Sequence, residues 1–279
     1  MKPKKNILIT GCSTGIGREA ALTLDQKGWR VFATCRSNSD CQFFHEVGIE
    51  SFQLDLSDEN SITTAISLVQ EKTSSTLDAV FNNGAFAIPG AVQDLPRNAL
   101  RDIFEVNVFG QFDLIKKCWP LMLNSKDPRI INCSSVLGFL ALPYRGAYSA
   151  TKFALEALTD AMRRENLNRS VKIILLQPGP INTKIRQNSI KHFEKWVNWK
   201  DSIHKKTYET IVISRLYDGV DSSLMNKFEL QPKAVTQVLE KALNAKNPKS
   251  RYMVTFPTKA GRLLVNILPT NLLDWMFKI

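Results

Sequence analysis

Short apolar runs of strand length alternate along this chain with longer segments of helical period, and this alternation limits the possible folds most. It is typical of βαβ units built around a parallel sheet. The predicted strands are Ile7–Thr10, Arg30–Thr34, Glu50–Leu54, Ala79–Phe81, Arg129–Cys133, Val171–Leu176 and Arg251–Phe256. The predicted helices are Arg18–Lys27, Asp58–Lys72, Arg97–Leu123, Ala147–Leu167 and Pro232–Asn244.

The pattern predicts an α/β fold with a doubly wound parallel sheet of about seven strands, helices on both faces and a single domain over residues 1–279. Gly28 stands where a glycine follows a helix end, and Ser57 stands where an N-cap belongs. Ligands of such sheets collect at the carboxyl ends of the strands, so we expect functional residues directly after each strand.

Two segments depart from the alternation. Residues 184–230 are polar and rich in aromatic side chains, and so long a stretch without regular structure usually forms a lid or a binding segment. We predict a lid there. Residues 260–279 form an apolar tail interrupted by Pro269. This tail is expected to lie on a membrane surface, on a neighbouring subunit, or beside the binding pocket.

Composition narrows the possible partners. The net charge of +11 attracts phosphates or acidic surfaces, but the basic residues are spread along the chain, so we predict no nucleic-acid binding. The five scattered cysteines form no Cys-x-x-Cys pair and the three histidines have no i, i+4 spacing. We therefore predict no metal site, no disulfide framework and a reducing, cytoplasmic location. No apolar run reaches the roughly 18 residues of a membrane span.

A glycine-rich turn follows the first strand and opens a helix, with the sequence Gly11-Cys12-Ser13-Thr14-Gly15-Ile16-Gly17. Backbone N–H groups at such a turn bind phosphate, and glycines are needed where a Cβ would block close approach. We predict that the turn binds the pyrophosphate of a dinucleotide. A tight packing turn without a ligand is the alternative.

The second predicted strand leads into Arg36, and no acidic residue occurs between the end of this strand and Asp40. In dinucleotide-binding folds an acidic residue near this place binds the ribose 2′-hydroxyl, whereas an arginine accommodates a 2′-phosphate. We therefore predict NADP(H) rather than NAD(H), with Arg36 as the discriminating residue and Arg18 as support. The alternative is that Arg36 is a surface arginine without a ligand.

Tyr148 and Lys152 are four residues apart at the start of a predicted helix, so they share one helical face. An ammonium near a phenol favours the phenolate, and we expect it to lower a pKa of about 10 by about 1–3 units. A tyrosine tuned in this way exchanges a proton with a carbonyl or alcohol oxygen near neutral pH.

These motifs, in this order, resemble those of the short-chain dehydrogenase/reductase family. The matching residues are Gly11, Gly15, Gly17, Asn82-Asn83-Gly84, Asn107, Ser135, Tyr148-x-x-x-Lys152 and Pro178-Gly179. Within the family, Gly11-Cys12-Ser13-Thr14-Gly15, the strand that ends in Arg36 and Arg145-Gly146-Ala147-Tyr148 look most like the branch of 17β-hydroxysteroid dehydrogenases, retinol dehydrogenases and bacterial aldehyde reductases. It departs from the family at Gly84-Ala85, where Ala-Gly is usual. The resemblance implies a Rossmann-type fold and NADP(H)-dependent hydride transfer, and we also expect a homo-oligomer.

The resemblance also implies the roles of four catalytic residues. Tyr148 is the general acid/base, and Ser135, rather than Ser134, donates a hydrogen bond to the substrate oxygen. Lys152 bridges the nicotinamide ribose hydroxyls and tunes Tyr148. Asn107 holds a water that passes protons to Lys152, or else it only caps or kinks its own helix.

The same match assigns cofactor contacts. Asp55 is expected to meet the adenine amine, Asn82 the adenosine side and Thr183 the carboxamide end. The alternatives are that Asp55 caps the helix near Asp58 and that Asn82 braces a turn. The remaining predicted contacts are Ser13, Thr14, Ile16, Leu56, Gly84, Pro178, Gly179 and Ile181.

Apolar residues surround the predicted site in the sequence, namely Phe86, Leu137, Phe139, Leu142 and Tyr144. With the lid they would form a pocket that favours an apolar aldehyde, a retinoid-like or a steroid-like substrate. Ordinary core packing accounts for several of them as well. The alternative function is a non-catalytic dinucleotide sensor, although such a sensor would not require all four catalytic residues.

Overall fold

Seven parallel strands form one sheet in the order β3-β2-β1-β4-β5-β6-β7. The computed structural model describes residues 4–166, 171–218 and 228–278. Each neighbouring pair of strands is parallel, so the predicted seven-stranded parallel sheet is confirmed. The strands are β1 Asn6–Ile9, β2 Arg30–Cys35, β3 Glu50–Gln53, β4 Ala79–Asn82, β5 Arg129–Cys133, β6 Lys172–Gln177 and β7 Arg251–Met253.

Helices connect the strands and cover the sheet. They are α1 Gly15–Gln26, α2 Asn38–Glu46, α3 Glu59–Lys72, α4 Arg97–Phe104, α5 Gly110–Leu123, α6 Gly146–Glu165, α7 Ile185–Trp196, α8 Lys205–Thr207, α9 Pro232–Asn244, α10 Phe256–Ile267 and α11 Thr270–Phe277. Among the described residues, no helix is long and apolar enough to cross a membrane.

Alternate residues of the central strands face opposite layers of the core. Ile7 and Ile9 of β1 pack in a cluster with residues of α1 and α9, whereas Leu8 packs in a cluster with residues of α3 and α5. Both faces of the sheet are therefore covered, which is why its strands have nearly continuous apolar sequences.

The strand order reverses between β1 and β4, which are neighbours in the sheet although β2 and β3 come between them in the chain. In a doubly wound sheet the connections diverge to opposite faces at this point and leave a crevice at the carboxyl ends of the strands. The turn after β1, the turn after β4 and the segment after β5 all begin at this edge. These segments contain most of the predicted site residues.

Several predicted element boundaries need correction. The helix predicted for Arg97–Leu123 is interrupted by a π-helical stretch, Glu105–Phe109, which separates α4 from α5. The strand predicted for Arg251–Phe256 ends at Met253, because the Thr255 hydroxyl accepts from the backbone N–H of Thr258 and caps α10.

Other corrections concern α2, α3 and α6. Helix α2 was not predicted from the sequence. Ser37 is its N-cap, and the Ser37 hydroxyl accepts a hydrogen bond from the backbone N–H of Asp40. The N-cap of α3 is Asp58 and not Ser57, because the Asp58 carboxylate accepts from Asn60 N–H. The end predicted for α6, Leu167, lies outside the described residues. Gly28 has a φ of 86° after α1, as predicted for a glycine at a helix end.

Gly110, the first residue of α5, lies directly against the loop that follows β3. A Cβ at this position would overlap the carbonyl oxygen of Leu56, which is backbone and cannot rotate away. Gly261 of α10 is a useful contrast, because a Cβ there would meet its nearest neighbour, Leu140, at 3.7 Å, an ordinary van der Waals distance.

We expect Gly110→Ala to lower the free energy of unfolding by about 3 kcal/mol, because α5 must move away from the β3–α3 loop. Gly261→Ala is the matched control and should be neutral or stabilising by up to about 1 kcal/mol, since alanine favours a helix interior. Urea denaturation of both variants measures the difference. Equal midpoints for the two variants would contradict this account of Gly110.

Candidate active site

The glycine-rich turn after β1 has the backbone geometry that a phosphate-binding turn needs. Gly11 and Gly15 have φ values of 71° and 60°, a region that side chains disfavour. A Cβ on Gly17 would overlap the carbonyl oxygen of Gly11. The Thr14 side chain does not cap α1 in the described part of the chain, and the first turn of α1 has no acidic residue. The helix N-terminus therefore fits the phosphates of a dinucleotide.

The turn after β4 packs against the glycine-rich turn. The Thr10 hydroxyl accepts from the backbone N–H of Asn83 at 3.0 Å and of Gly84 at 2.9 Å. The Asn83 amide donates to the carbonyl of Thr10 at 3.0 Å, and a Cβ on Gly11 would lie 2.7 Å from the Cα of Gly84. Neither Thr10 nor Asn83 was predicted to have a role of its own, although Asn83 belongs to a matched motif.

Arg36 and Arg18 are the two cations predicted to meet a 2′-phosphate. Arg36 directly follows β2 and is exposed, and its backbone carbonyl accepts from Gln53. The guanidinium carbon of Arg18 lies 3.7 Å from the centroid of the Phe43 ring. Among the described residues the buried Nε of Arg18 has no hydrogen-bond partner. Both cations are compatible with a 2′-phosphate, and their role stays a prediction.

Two of the predicted adenosine contacts, Asp55 and Asn82, serve the protein's own structure. One Asp55 carboxylate oxygen accepts from the backbone N–H and the hydroxyl of Ser57, so Asp55 forms a turn before α3 and does not cap it. Asn82 is fully buried and its amide donates to Asn132 Oδ1 at 3.0 Å. The Asn82 side chain therefore braces β4 against β5, and its contact with the adenosine stays a prediction. Leu56 is buried beneath Gly84.

The predicted catalytic residues meet at the carboxyl end of β5. Lys152 is 1 % exposed, and its Nζ donates to the carbonyl of Cys133 at 2.7 Å. The same Nζ lies 5.6 Å from the centroid of the Tyr148 ring. The Ser135 hydroxyl forms a hydrogen bond with Tyr148 that lowers the pKa of the phenol. Ser134 differs from Ser135, because its hydroxyl is buried and has no partner among the described residues.

The predicted decrease in the Tyr148 pKa is wrong for the protein's own groups. Burial of the hydroxyl raises the pKa of Tyr148 well above its usual value of 10, and the thiol of Cys133 adds to this effect. Burial also lowers the pKa of Lys152. Desolvation of the phenol therefore outweighs the opposing effects of the Ser135 hydrogen bond and of the Arg145 cation.

Asn107 is buried inside the π-helical stretch between α4 and α5. Its Oδ1 accepts from the backbone N–H of Phe86 at 3.0 Å, and its Nδ2 donates to the Phe86 carbonyl at 2.8 Å and to Thr151 at 3.2 Å. The interruption of its own helix, which the sequence analysis kept as an alternative, is therefore present. π-Helical turns of this kind frequently occur at functional sites. A proton-relay water at Asn107 stays a prediction.

The loop after β6 returns to the glycine-rich turn. The methyl group of Thr183 lies close to Gly15, where an added Cβ would stand 3.1 Å away from it. The carbonyl of Pro178 accepts from the backbone N–H of Val136, and a Cβ on Gly179 would overlap the Thr255 hydroxyl. Thr183, predicted at the carboxamide end of the cofactor, thus lies next to the glycine-rich turn, which is predicted to bind the pyrophosphate.

The predicted lid is mostly helical in its described part, which corrects the expected irregular loop. It contains α7, α8, a short turn Trp199–Asp201 and π-helical stretches Tyr208–Val212 and Ser214–Asp218. Residues 219–227 of the predicted lid lie outside the described residues. Phe193 and Val212 pack with Ile88 and Ala147 in one apolar cluster, so burial on that cluster stabilises the helical conformation.

A buried tyrosine fastens this helical lid to the body of the protein. The Tyr208 hydroxyl donates to Asp94 at 2.7 Å and accepts from the backbone N–H of Ala91 at 2.8 Å. Its ring contacts that of Tyr144 edge to face, at a centroid distance of 5.5 Å. Tyr144 has a positive φ of 60° four residues before Tyr148. The sequence showed the aromatic character of the lid but not these contacts.

The lid also contacts the turn after β4 through His192 of α7. The His192 ring stacks on that of Phe86 with a centroid distance of 4.1 Å, and Phe86 is the residue that Asn107 holds by its backbone. Burial lowers the pKa of His192 to about 4, and the neighbouring cation of Lys191 adds to the decrease.

Comparison with known proteins agrees with this geometry. The family model described as short chain dehydrogenase matches residues 5–193, which is more than half of the chain. The chain belongs to the short-chain dehydrogenase family. It is thus an oxidoreductase of a family that binds a nicotinamide dinucleotide, and the resemblance predicted from the sequence is confirmed.

Curated members of the short-chain dehydrogenase family resemble this chain over nearly its whole length. The protein called uncharacterized oxidoreductase YbbO, from Escherichia coli, is 35% identical over 97% of this chain and 93% of its own. An NADPH-dependent 3-dehydrocapnine reductase from Ornithobacterium rhinotracheale is 30% identical over 97% and 95%. Human retinol dehydrogenase 5 is 29% identical over 96% and 86%.

A solved short-chain dehydrogenase from Streptomyces avermitilis has the same fold. It superposes with a TM-score of 0.78 at 22% identity, covering 99% of this chain and 97% of its own. The likeness confirms the Rossmann-type fold that the motifs implied.

The depressed pKa of His192 predicts an acid-dependent loss of stability. Its folded-state value of about 4 lies below the usual 6.5, so the unfolded chain binds more protons between these pH values. The contribution of neutral His192 to the free energy of unfolding is complete above pH 6.5 and is lost as pH falls towards 4. Because the ring is partly exposed, we expect this loss to be about 1 kcal/mol.

His192→Phe keeps an aromatic ring for the Phe86 stack and removes the titrating group. The pH dependence of its unfolding free energy should be flatter than that of the native protein between pH 4 and 6.5. His45→Gln, at an exposed position of α2, is the control and should leave the native slope in place. Equal slopes for His192→Phe and the native protein would refute this role of burial.

Proposed function

We propose that this protein is an NADP(H)-dependent oxidoreductase that interconverts an apolar carbonyl compound and its alcohol, with Tyr148 as the general acid/base. The main observation in favour of this function is the group formed by Tyr148, Ser135 and Lys152 at the carboxyl end of β5. The glycine-rich turn begins at the same edge of the sheet, after β1, two strands away. A dinucleotide sensor would not need these three side chains together, so turnover is favoured over sensing.

The proposed cofactor is NADP(H). Arg36 is exposed directly after β2, and no carboxylate occurs between the end of β2 and Asp40 to repel a 2′-phosphate. The dehydrocapnine reductase that resembles this chain is NADPH-dependent by its name. The proposed pyrophosphate ligands are the backbone N–H groups at Ser13, Thr14 and Ile16, and Thr183 is proposed at the carboxamide end.

The proton transfer is proposed to run through Tyr148. When bound, the nicotinamide supplies or accepts the hydride. During reduction the Tyr148 hydroxyl donates its proton to the substrate oxygen, which Ser135 also holds by a hydrogen bond. Because burial raises its pKa, Tyr148 keeps this proton at neutral pH and is ready to act as an acid. In the reverse direction Lys152 stabilises the phenolate that accepts the proton.

The proposed substrate is apolar. Leu137 and Leu142 pack with Phe139 in the cluster that directly follows Ser135. Phe86 and Tyr144 pack in the cluster beneath the lid, which also includes Tyr148. Retinol dehydrogenases are among the relatives, and their name denotes an apolar alcohol. We further propose that the lid closes over the substrate and that the protein is a homo-oligomer.

Tyr148→Phe should reduce NADPH oxidation with apolar aldehydes or ketones by at least about 10³-fold, because it removes the transferred proton. Ser135→Ala should cost about 10²-fold, because one hydrogen bond to the developing oxyanion is lost. Ser134→Ala is the matched control and should stay within about threefold of the native rate. The measurement is kcat over a panel of substrates, followed by NADPH absorbance. Near-native turnover by Tyr148→Phe would remove Tyr148 from this role.

Arg36→Ser should weaken NADPH binding by about 10–100-fold and leave NADH binding nearly unchanged, because only NADPH carries the 2′-phosphate. Arg97→Ser, at an exposed arginine of α4, is the control and should change neither affinity. Fluorescence titration of both nucleotides measures the two dissociation constants. Native protein that binds NADH and NADPH equally would contradict the cofactor assignment but not the enzyme assignment.

A further inference from the structure

Helix α10 exposes large apolar side chains on one face. Phe256, Leu263 and Ile267 are 65%, 60% and 66% exposed. They stand at positions i, i+7 and i+11, so they share one side of the helix. The residues Thr258 and Gly261, on a different side, are buried against the protein. Helix α10 therefore packs on the protein through one side and presents large apolar side chains to solvent on the other.

Helix α11 is more exposed than α10. None of its eight residues is buried. Leu272, Trp275 and Met276 are 40%, 65% and 42% exposed, and their i, i+3, i+4 spacing places them on one face. Isolated apolar residues are normal on a protein surface, but two consecutive helices with such faces are typical of an interaction site.

The charges around these faces favour an anionic partner. From residue 252 to residue 279 the chain has three basic residues, Lys259, Arg262 and Lys278, and a single acidic residue, Asp274. The whole protein has a net charge of +11. A second copy of the same basic surface would be repelled, whereas a surface of anionic lipids would be attracted.

We propose that α10 and α11 form a docking surface for anionic phospholipid membranes. The apolar side chains enter the boundary between headgroups and acyl chains, and the lysines meet lipid phosphates. Trp275 is suited to this depth, because tryptophan is favoured at membrane–water interfaces. This surface uses none of the residues proposed for catalysis.

The packing of α10 and α11 fixes the surface to the body of the protein. Val265 of α10 and Phe277 of α11 pack on the cluster of Val136, Phe139 and Leu140, and a Cβ on Gly261 would meet Leu140 at 3.7 Å. This cluster directly follows Ser135 in the chain. The surface is therefore held at a defined place and is not a loose tail.

The test is co-sedimentation of the full-length protein with vesicles. Native protein should pellet with vesicles of equal parts phosphatidylglycerol and phosphatidylcholine, and less with pure phosphatidylcholine vesicles. The double variant Leu263→Ser/Trp275→Ser should bind the anionic vesicles at least about tenfold more weakly than the native protein. The reason is that two large apolar side chains are removed from the bound face. Val47→Ser/Leu123→Ser removes exposed apolar residues elsewhere and should bind like the native protein.

A second variant tests the charge contribution. Lys259→Gln/Lys278→Gln should weaken binding to anionic vesicles about tenfold and make the remaining binding less sensitive to salt. No pelleting of native protein, or equal pelleting of all variants, would overturn the proposal. It is also overturned if gel filtration shows that Leu263→Ser/Trp275→Ser dissociates an oligomer, since the occupant would then be a second copy of the chain.

Discussion

Close backbone contact between the turns after β1 and β4 is the constraint on which the site depends. A Cβ on Gly11 would lie 2.7 Å from the Cα of Gly84, and one on Gly17 would overlap the carbonyl of Gly11. Thr10 and Asn83 hold the two turns together by hydrogen bonds. Because no side chain fits between the turns, the backbone N–H groups at the start of α1 stay accessible to a phosphate.

Burial governs the chemistry at the other end of the site. Lys152 and Asn107 are almost entirely enclosed, and burial raises the pKa of Tyr148. A desolvated hydroxyl keeps its proton until a more basic oxygen, such as that of the developing alkoxide, is next to it. This property suits a general acid more than a general base. A positive charge near the phenol must then offset the cost of forming the phenolate in the reverse reaction. Lys152 lies close to the Tyr148 ring, and the cation of Arg145 also lowers the pKa of the phenol.

Aromatic contacts of the lid connect the end of the site at the glycine-rich turn with the end at Tyr148 and Lys152. His192 stacks on Phe86, whose backbone is held by Asn107, and Tyr208 binds the segment at Ala91. A movement of the lid would therefore displace residues in the turn after β4 and at the start of α6. The last two helices pack on the cluster that includes Phe139, and this cluster directly follows Ser135 in the chain.

The sequence by itself determined the sheet, the glycine-rich turn and the residues of the candidate catalytic group, because apolar periodicity and short motifs are local. Only the tertiary structure decided the rest. It buried Asn82 against Asn132 and placed the Tyr148 hydroxyl where burial raises its pKa. It also made the lid helical and brought His192 onto Phe86. These features arise from desolvation and packing between segments far apart in the chain, which no local pattern records.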